Sequence, residues 1–292
     1  MKEIKKIDNE DILFLSNYIF ENGYECPLIE VKSFHALNQI IGYAKFINQK
    51  EEKILFRGQT SLYKQLLPSL YRSCDTDSAI NRRNTKICEI IRETKDNLPI
   101  LKNYDNKIIE PLLQHYGIKT RWIDLVDNLW IALTFCLYEY KTSLNYGNKY
   151  EYVKIRDDEN EYGYLLLVCS DAFSTTDVSN GLYKGNTTNL VDLRMAAPSV
   201  FLRPHSQHAL LMQQKGASSL NKADLSNKIA AIIQIQVKNI KKWLGNGKLT
   251  SIENIYPPPI YDNGYSLLLD GMERKKIREK EYGSISIISY SI

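Results

Sequence analysis

The sequence of 292 residues lacks features that several common classes of protein require. Its five cysteines are scattered and form no Cys-x-x-Cys pair, which argues against a disulfide framework and a zinc site and favours a reducing compartment. The longest apolar run, YLLLVC, is far shorter than the ~20 residues of a membrane span. The opening MKEIKKIDNE is not followed by the apolar stretch of a signal peptide. We therefore expect a cytoplasmic protein with no metal and no membrane partner.

Excess charge and familiar catalytic motifs are also missing. The 38 basic and 34 acidic residues leave a net charge of only +4, too little to indicate nucleic-acid binding by itself. There is no Gly-x-Ser-x-Gly, Gly-x-Gly-x-x-Gly or Walker motif, so nucleophile-elbow hydrolases, Rossmann enzymes and P-loop proteins lose their support. His205 and His208 form a His-x-x-His pair, but the glutamate of a zinc protease is absent from it.

What the sequence does contain is the patterning of an α+β protein. Helical spacing of apolar residues predicts helices over 11–22, 33–48, 79–98, 107–116, 128–141 and 263–283. Strand patterns are present over 162–169, 189–195 and 229–237, and in the short run that ends at Phe56. We predict a single domain whose helical first half packs on a mixed or split sheet built mainly from the second half. Residues 1–32 are predicted to form an N-terminal helical extension of the domain at 33–292.

The stretch Phe56-Arg57-Gly58-Gln59 ends that first short strand. An arginine at a strand end presents a planar, permanently charged group that suits phosphates or carboxylates. The glycine beside it allows another group to approach the backbone closely. The alternative is an arginine that pairs with a structural carboxylate, and these four residues alone favour neither interpretation.

A second polar cluster lies between the helices predicted at 107–116 and 128–141. It comprises His115, Tyr116, Lys119, Thr120, Arg121 and Asp124. Each has a structural explanation, since Thr120 can cap the turn and Asp124 can pair with Arg121. Together they predict one wall of a ligand cleft opposite Arg57, in which Asp124 orients Arg121 or a ligand hydroxyl. A third cluster, Arg203, His205, Gln207 and His208, follows in the second half.

Three stretches of the chain resemble the FRG domain, a family of bacterial and phage proteins named for its Phe/Tyr-Arg-Gly motif. They are FRGQ at 56–59, LLPSLYR at 66–72 and HYGIKTRWIDLVDNLWIALTF at 115–135. The last is similar to the family signature His-Tyr-Gly-x-x-Thr-Arg-x-x-Asp-x-x-x-Asn-Pro-x-x-Ala-Leu-x-Phe, with Trp122 and Trp130 where leucine and proline are usual. Looser similarity extends the resemblance over roughly 35–280. It implies a role in phage defence or as a toxin.

The Phe-Arg-Gly motif is also similar to the strand that opens Arg-type ADP-ribosyltransferases, which are small split-sheet α+β enzymes that use NAD. This likeness implies that Arg57 holds the NAD phosphates and that Gln207 occupies the place of the usual catalytic glutamate. Because an amide stabilises an oxocarbenium-like centre poorly, Asp124 or another glutamate would have to do so. We assign ligand binding to Arg57, Gly58, Gln59, Tyr116, Thr120, Arg121 and Arg203, and catalysis to Asp124, His115 and Gln207.

Four hypotheses about function follow. The first is an NAD-using enzyme of ADP-ribosyltransferase or NAD glycohydrolase type, with a small nucleotide as ligand and, for a transferase, a macromolecular target. The second is a module that binds nucleotides or nucleic acid without catalysis, suggested by the 20 tyrosines. The third is a nuclease or phosphodiesterase that uses His115 or His205 as acid–base. The fourth is a purely structural polar network.

Overall fold

The computed structural model describes residues 4–5, 7–50, 52–145, 148–173, 178–179, 181–247, 249, 251–272, 279–285 and 287–289. The strands within these ranges are β1 Ile12–Ile19, β2 Glu25–Val31, β3 Lys53–Gln59, β4 Ile123–Val126, β5 Tyr138–Asn145, β6 Asn148–Ile155, β7 Tyr162–Ser170, β8 Val178–Ser179, β9 Leu182–Lys184, β10 Thr188–Asp192, β11 Ala209–Gln214, β12 Ile229–Gln236 and β13 Ile287–Ser289. The α-helices are α1 Phe34–Asn48, α2 Asp77–Asn97, α3 Asn106–Gln114, α4 Leu129–Leu137, α5 Leu193–Ala196, α6 Leu202–Ser206, α7 Leu220–Ala223, α8 Val237–Trp243, α9 Ile252–Ile255, α10 Asn263–Met272 and α11 Glu279–Tyr282. Short 3-10 helices occupy Pro99–Leu101, Asp171–Phe173, Ser226–Lys228 and Gly245–Gly247.

One mixed sheet organises the domain. Its ten described strands run in the order β1-β2-β12-β7-β3-β4-β11-β10-β9-β8, and all neighbours are antiparallel except β2 and β12. A smaller sheet contains β5, β6 and β13. The protein is therefore a single-domain α+β protein, as predicted, and six of the ten strands come from the second half of the chain. In the described part of the chain, no helix is long and apolar enough to cross a membrane.

The strand that carries Arg57 lies at the centre of this sheet. β3 pairs along its length with β7 and, at Phe56, with β4. Helix α4 packs on β3 so closely that a Cβ atom on Gly58 would lie 2.0 Å from the carbonyl oxygen of Ala132. The close approach that this glycine permits is therefore that of the protein's own helix.

The apolar residues of β3 alternate between two cores, as a strand buried on both faces requires. Ile54 and Phe56 pack with α1, α4 and α8, whereas Leu55 faces the other side of the sheet. A third cluster joins α2, α3 and α10 to the β10 and β11 side. Leu133 in α4 is fully buried, which agrees with the apolar surface predicted for that helix.

The predicted N-terminal helix is wrong. Residues 12–19 form β1, which pairs antiparallel with β2, and β2 pairs in turn with β12 of the main sheet. The consecutive apolar residues Ile12 to Leu15 fit a helical period as well as a strand, and pairing with β2 decides in favour of the strand. Residues 1–32 are therefore not a helical extension, because their two strands belong to the main sheet.

Other predicted boundaries also need correction. Helix α4 ends at Leu137, and the chain continues from Tyr138 as strand β5, which forms a hairpin with β6. Strand β10 ends at Asp192, whose side chain caps α5 by accepting a hydrogen bond from the Arg194 amide. The helix predicted over 263–283 begins at Asn263, but residues 273–278 lie outside the described residues. Helix α1 begins after Ser33, whose hydroxyl caps it by accepting a hydrogen bond from the Ala36 amide at 3.2 Å.

Candidate functional site

The signature residues of the first half meet at the junction of β3 and β4. After α3, Gly117 adopts a φ of 108°, in the left-handed region, which lets the chain reverse before it enters β4. Asp124 then lies beside Arg57, whose Nη1 donates to the Asp124 carbonyl oxygen at 2.7 Å. The two residues therefore occupy neighbouring strands, and the prediction that they stand on opposite walls is corrected by this contact.

A cleft of about 590 Å³ opens at this junction. Its lining combines charged, amide and aromatic side chains: Phe56, Arg57, Gly58, Gln59, Thr60, Tyr63, Arg72, Gln114, His115, Asp124, Leu125, Val126, Phe135, Tyr138, Glu139, Gln207 and Tyr256. Residues from β3, β4 and the end of α3 thus meet residues from the β5 and α6 regions. All three residues assigned to catalysis, and Arg57, Gly58 and Gln59 of the ligand-binding set, line this one cleft.

Arg57 enters the cleft without a carboxylate partner. Its Nε atom is buried and has no hydrogen-bond partner, and no ion pair to it forms among the residues described. Burial, together with the nearby charge of Arg72, lowers its pKa to about 10. Arg72 is exposed, and its Nε donates only to the Leu67 carbonyl oxygen at 3.2 Å. Two guanidinium groups therefore face the same cleft.

His115, directly after α3, is held by Gln207. The Gln207 amide nitrogen donates to the Ile255 carbonyl at 3.0 Å, which leaves its Oε1 to accept from His115 Nδ1 at 2.9 Å. This network assigns the proton of a neutral imidazole to Nδ1. Burial lowers the pKa of His115, and the charge of Arg203 acts in the same direction, whereas Asp124 opposes them. The neutral ring is therefore favoured.

The other ring nitrogen of His115 faces Asp124 across a gap. Nε2 is buried without a hydrogen-bond partner and lies 3.7 Å from Asp124 Oδ1, which has no hydrogen-bond partner either. That distance is too long for a hydrogen bond. Together with Arg57 Nε, three buried polar atoms in one cleft lack partners. Since such atoms are normally satisfied, this concentration indicates a place where a ligand or a proton completes the structure.

Arg121 does not take part in this cleft. Its guanidinium binds the buried Glu110 carboxylate through Nε at 2.9 Å and Nη2 at 2.5 Å, and its amide donates to the same carboxylate at 2.9 Å. The expectation that Asp124 orients Arg121 is therefore wrong. Glu110, eleven residues earlier on α3, supplies the matching charge instead.

Three more residues assigned to ligand binding lie behind the cleft and do not line it. The buried Tyr116 hydroxyl donates to Asp262 at 2.7 Å, and the buried Thr120 hydroxyl accepts from the Trp122 amide at 3.2 Å. Arg203 is buried between aromatic rings and donates to the His115 carbonyl oxygen at 2.5 Å. These side chains support the site from within the core.

The His-x-x-His pair separates in the structure. His208 lies beside the ion pairs of Arg194 with Asp127 and Asp192, 3.5 Å from the Asp127 carboxylate. The Nε2 atom of His205 is buried without a hydrogen-bond partner. In the described ranges, no group of three or more His, Cys, Asp or Glu side chains could hold a metal ion.

Several residues that line the cleft were missed from the sequence. Arg72 lies within LLPSLYR, a stretch that the family resemblance had already marked, so its charge could have been assigned to the site. Glu139 is predicted to lie near the end of a helix, but it is the second residue of β5, and its carboxylate lies 3.7 Å from Arg156 Nε. Tyr63, Gln114 and Tyr256 carried no signal that separated them from other polar or aromatic residues.

Comparison with known families agrees with this geometry. The FRG domain family model matches residues 52–144, a segment that contains β3, β4 and α4 with Arg57, His115 and Asp124. Residues 52–144 therefore match the FRG domain, as the motifs in this segment indicated. Neither a curated protein nor a solved structure matches the chain.

Proposed function

We propose that the cleft binds a nucleotide of the NAD type and that the protein cleaves the bond between nicotinamide and ribose. The observation that carries this proposal is the pair Arg57 and Arg72, two cations without carboxylate partners among the described residues, in one cleft with the Asp124 carboxylate. The acceptor is water for an NAD glycohydrolase and a side chain of a macromolecular target for an ADP-ribosyltransferase.

The two guanidinium groups support binding of a pyrophosphate. Arg72 lowers the pKa of Arg57, which means that their charges repel each other in the empty cleft. An anion between them would replace this repulsion with two charge-assisted interactions. A pyrophosphate carries two negative charges, and guanidinium groups bind phosphate oxygens through paired N–H donors. The volume of about 590 Å³ lies within the range typical of ligand clefts.

The Asp124 carboxylate supports cleavage at the ribose. Its side chain is 44% exposed and borders the cleft next to Arg57. As nicotinamide leaves, positive charge develops at the ribose C1 atom, and a fixed carboxylate nearby stabilises that charge. Glu139 provides a second carboxylate along the same cleft. Tyr63, which is 57% exposed, offers an aromatic face on which a base can stack.

His115 and Asp124 together can accept a proton. The neutral imidazole and the carboxylate present acceptor atoms to each other at 3.7 Å, with no hydrogen between them. When water attacks C1, its proton passes to Asp124 and then to His115 Nε2. The products are nicotinamide, ADP-ribose and one proton, so atoms and charge balance.

A second candidate is a phosphodiesterase that uses the same residues. It is favoured by the neutral imidazole beside two arginines, since His115 could activate water for attack at a phosphorus atom held by Arg57 and Arg72. This reaction would leave the glycosidic bond intact. From NAD it would release AMP and nicotinamide mononucleotide.

One chromatographic assay distinguishes the candidates. The purified protein is incubated with NAD, and the products are separated beside a preparation of Asp124→Asn. Nicotinamide with ADP-ribose supports the first proposal, and AMP with nicotinamide mononucleotide supports the second. The Asp124→Asn preparation controls for contaminating activity, and Arg82→Gln, which replaces an exposed arginine outside the cleft lining, should keep the activity of the wild type. If no product forms and calorimetry detects no NAD binding, both candidates are rejected.

A role in phage defence or as a toxin belongs to the same proposal, because a cell that loses its NAD stops growing. Induced expression in a bacterial host should then arrest growth and lower cellular NAD. Asp124→Asn should do neither at equal protein levels. Growth arrest at normal NAD levels would contradict this mechanism of toxicity.

A further inference from the structure

Helix α6 and the residue that follows it bring two side chains to His115. Arg203 Nη1 donates to the His115 backbone carbonyl at 2.5 Å, and Gln207 Oε1 lies 2.9 Å from the ring Nδ1. The two residues are four positions apart, the spacing that places side chains on one face of a helix. A single segment of chain thus holds both the backbone and the ring of His115.

Arg203 places an uncompensated positive charge next to this histidine. It is 3% exposed, and its guanidinium carbon lies 4.6 Å and 4.5 Å from the ring centres of Tyr116 and Tyr265. Tyr256, which also lines the cleft, is 5.8 Å away. The Nε and Nη2 atoms of Arg203 have no hydrogen-bond partner, and no carboxylate in the described residues forms an ion pair with this arginine. Aromatic rings attract a cation but do not cancel its charge.

The hydrogen bonding of the Gln207 amide determines which of its atoms faces the imidazole. Its amide nitrogen donates to the Ile255 carbonyl, so the amide cannot rotate by half a turn without losing that bond. The oxygen is therefore directed at His115 Nδ1, where it accepts a hydrogen bond. An amide oxygen accepts the proton of a neutral ring without adding the negative charge that would stabilise the protonated ring.

We propose that Arg203 and Gln207 form a clamp, the His115 clamp, that holds this histidine as the neutral imidazole with its proton on Nδ1 and its Nε2 lone pair towards Asp124. Both are positioning residues, since they act through His115. The clamp keeps the His115–Asp124 pair ready to accept a proton, and this consequence for rate rests on the function proposed above. The charge state and tautomer do not depend on it.

The charged groups around His115 agree with this assignment. Asp124 on β4 raises the pKa of the ring, and the hydrogen bond to Gln207 also raises it, but burial and the charge of Arg203 on α6 outweigh them. Asp262 accepts hydrogen bonds from the Arg203 backbone amide and from Tyr116, and it is not among the charges that shift the pKa of His115. Arg203 is therefore the neighbouring charge whose removal should most readily protonate the ring.

The test is an NMR titration of the histidine rings, which needs no substrate. The His115 signals are assigned by their loss in His115→Gln. In Arg203→Met, whose flexible apolar side chain can fill the space between the tyrosines, the His115 pKa should rise relative to wild type. In Gln207→Glu, a carboxylate replaces the amide oxygen, and the pKa should rise further.

The chain offers a matched control in Arg83. This arginine is also buried, and its Nη1 also donates to a backbone carbonyl, that of Leu70, at 2.5 Å. It makes no contact with His115 that the structure describes. Arg83→Met should therefore lower stability to a similar extent as Arg203→Met but leave the His115 titration unchanged.

The outcomes separate the clamp from the proposed function. If His115 titrates alike in wild type, Arg203→Met and Gln207→Glu, or if its neutral ring carries the proton on Nε2, the clamp is rejected even where NAD is cleaved. If the pKa rises as expected but NAD is not cleaved, the function fails and the clamp stands. Should Arg203→Met not fold, Gln207→Glu alone decides. If the protein cleaves NAD, the decrease in cleavage rate at acidic pH should begin at a higher pH in Arg203→Met and Gln207→Glu than in wild type.

Discussion

Arg57 and Arg121 both belong to family motifs, and both were predicted to bind a ligand, yet their hydrogen-bond partners differ. Arg121 is enclosed by Glu110, which accepts hydrogen bonds from its side chain and from its amide. Arg57 meets one backbone carbonyl, and its Nε has no partner. For these two arginines, the matching carboxylate is the difference: Glu110 holds Arg121 in the fold, whereas Arg57 is available to a ligand.

The same contrast recurs elsewhere in the chain. Arg194 resembles Arg121, because Asp127 and Asp192 both bind its guanidinium. Arg72 resembles Arg57, because it faces the cleft and donates only to a backbone carbonyl. A buried ion pair is costly to break from one side, since the remaining charge loses its partner. We expect replacement of Arg57 or Arg72 to damage the fold less, because neither forms an ion pair among the described residues, and to affect ligand binding instead.

The largest effect is expected at Glu110. Glu110→Ala leaves Arg121 partly buried without its carboxylate, which should cost about 3–5 kcal/mol of unfolding free energy. Urea denaturation monitored by circular dichroism measures this loss. The double variant Glu110→Leu with Arg121→Met should recover much of it, because neither charge is then stranded. A loss below about 1 kcal/mol in Glu110→Ala would remove the distinction between the two arginines.

The support under Arg57 is tested next, at Leu133 in α4. This leucine is fully buried beneath β3, and Leu133→Ala should cost about 2–5 kcal/mol because it removes packed atoms and leaves a cavity. Leu249, which is 60% exposed, provides the control, and Leu249→Ala should change stability little. Equal effects of the two substitutions would show that α4 does not anchor the central strand.

Arg57 itself should show the opposite behaviour to Glu110. Arg57→Gln should weaken NAD binding by about 1.5–3 kcal/mol, the range for hydrogen bonds that involve a charged group, which is roughly ten- to hundredfold in affinity. Its unfolding free energy should change far less than that of Glu110→Ala. Calorimetric titration with NAD and urea denaturation give the two numbers. If Arg57→Gln is mostly unfolded, and the fraction that stays folded binds NAD as the wild type does, then Arg57 is a structural residue.

The comparison also shows why the sequence predicted some of the site and not the rest. His115 and Asp124 belong to the long signature at 115–135 and Arg57 to the Phe-Arg-Gly motif, and strand β3 was recognisable from its apolar run and its glycine. The partner of Arg121 could not be predicted, because Glu110 is one of many acidic residues on predicted helices. Only the packing of α3 against the turn brings Glu110 near Arg121. The β1 strand was mistaken for a helix because its apolar residues are consecutive, so that pairing with β2 decides its conformation.

The smallest expected effect is on the pH dependence of stability, and the test compares the buried His115 with the exposed His35. Because burial lowers the folded-state pKa of His115 below its ordinary value of about 6.5, the unfolded chain binds more protons in the range just below that value. Stability should therefore be fully present above pH ~6.5 and should decrease as the pH falls towards the folded-state pKa. His115→Gln should flatten this part of the curve of unfolding free energy against pH, whereas substitution of the exposed His35, His35→Gln, should leave the slope unchanged. An unchanged slope in His115→Gln would contradict the lowered pKa, and a slope that becomes more positive would mean that the folded-state pKa of His115 is raised, as in an ion pair with Asp124.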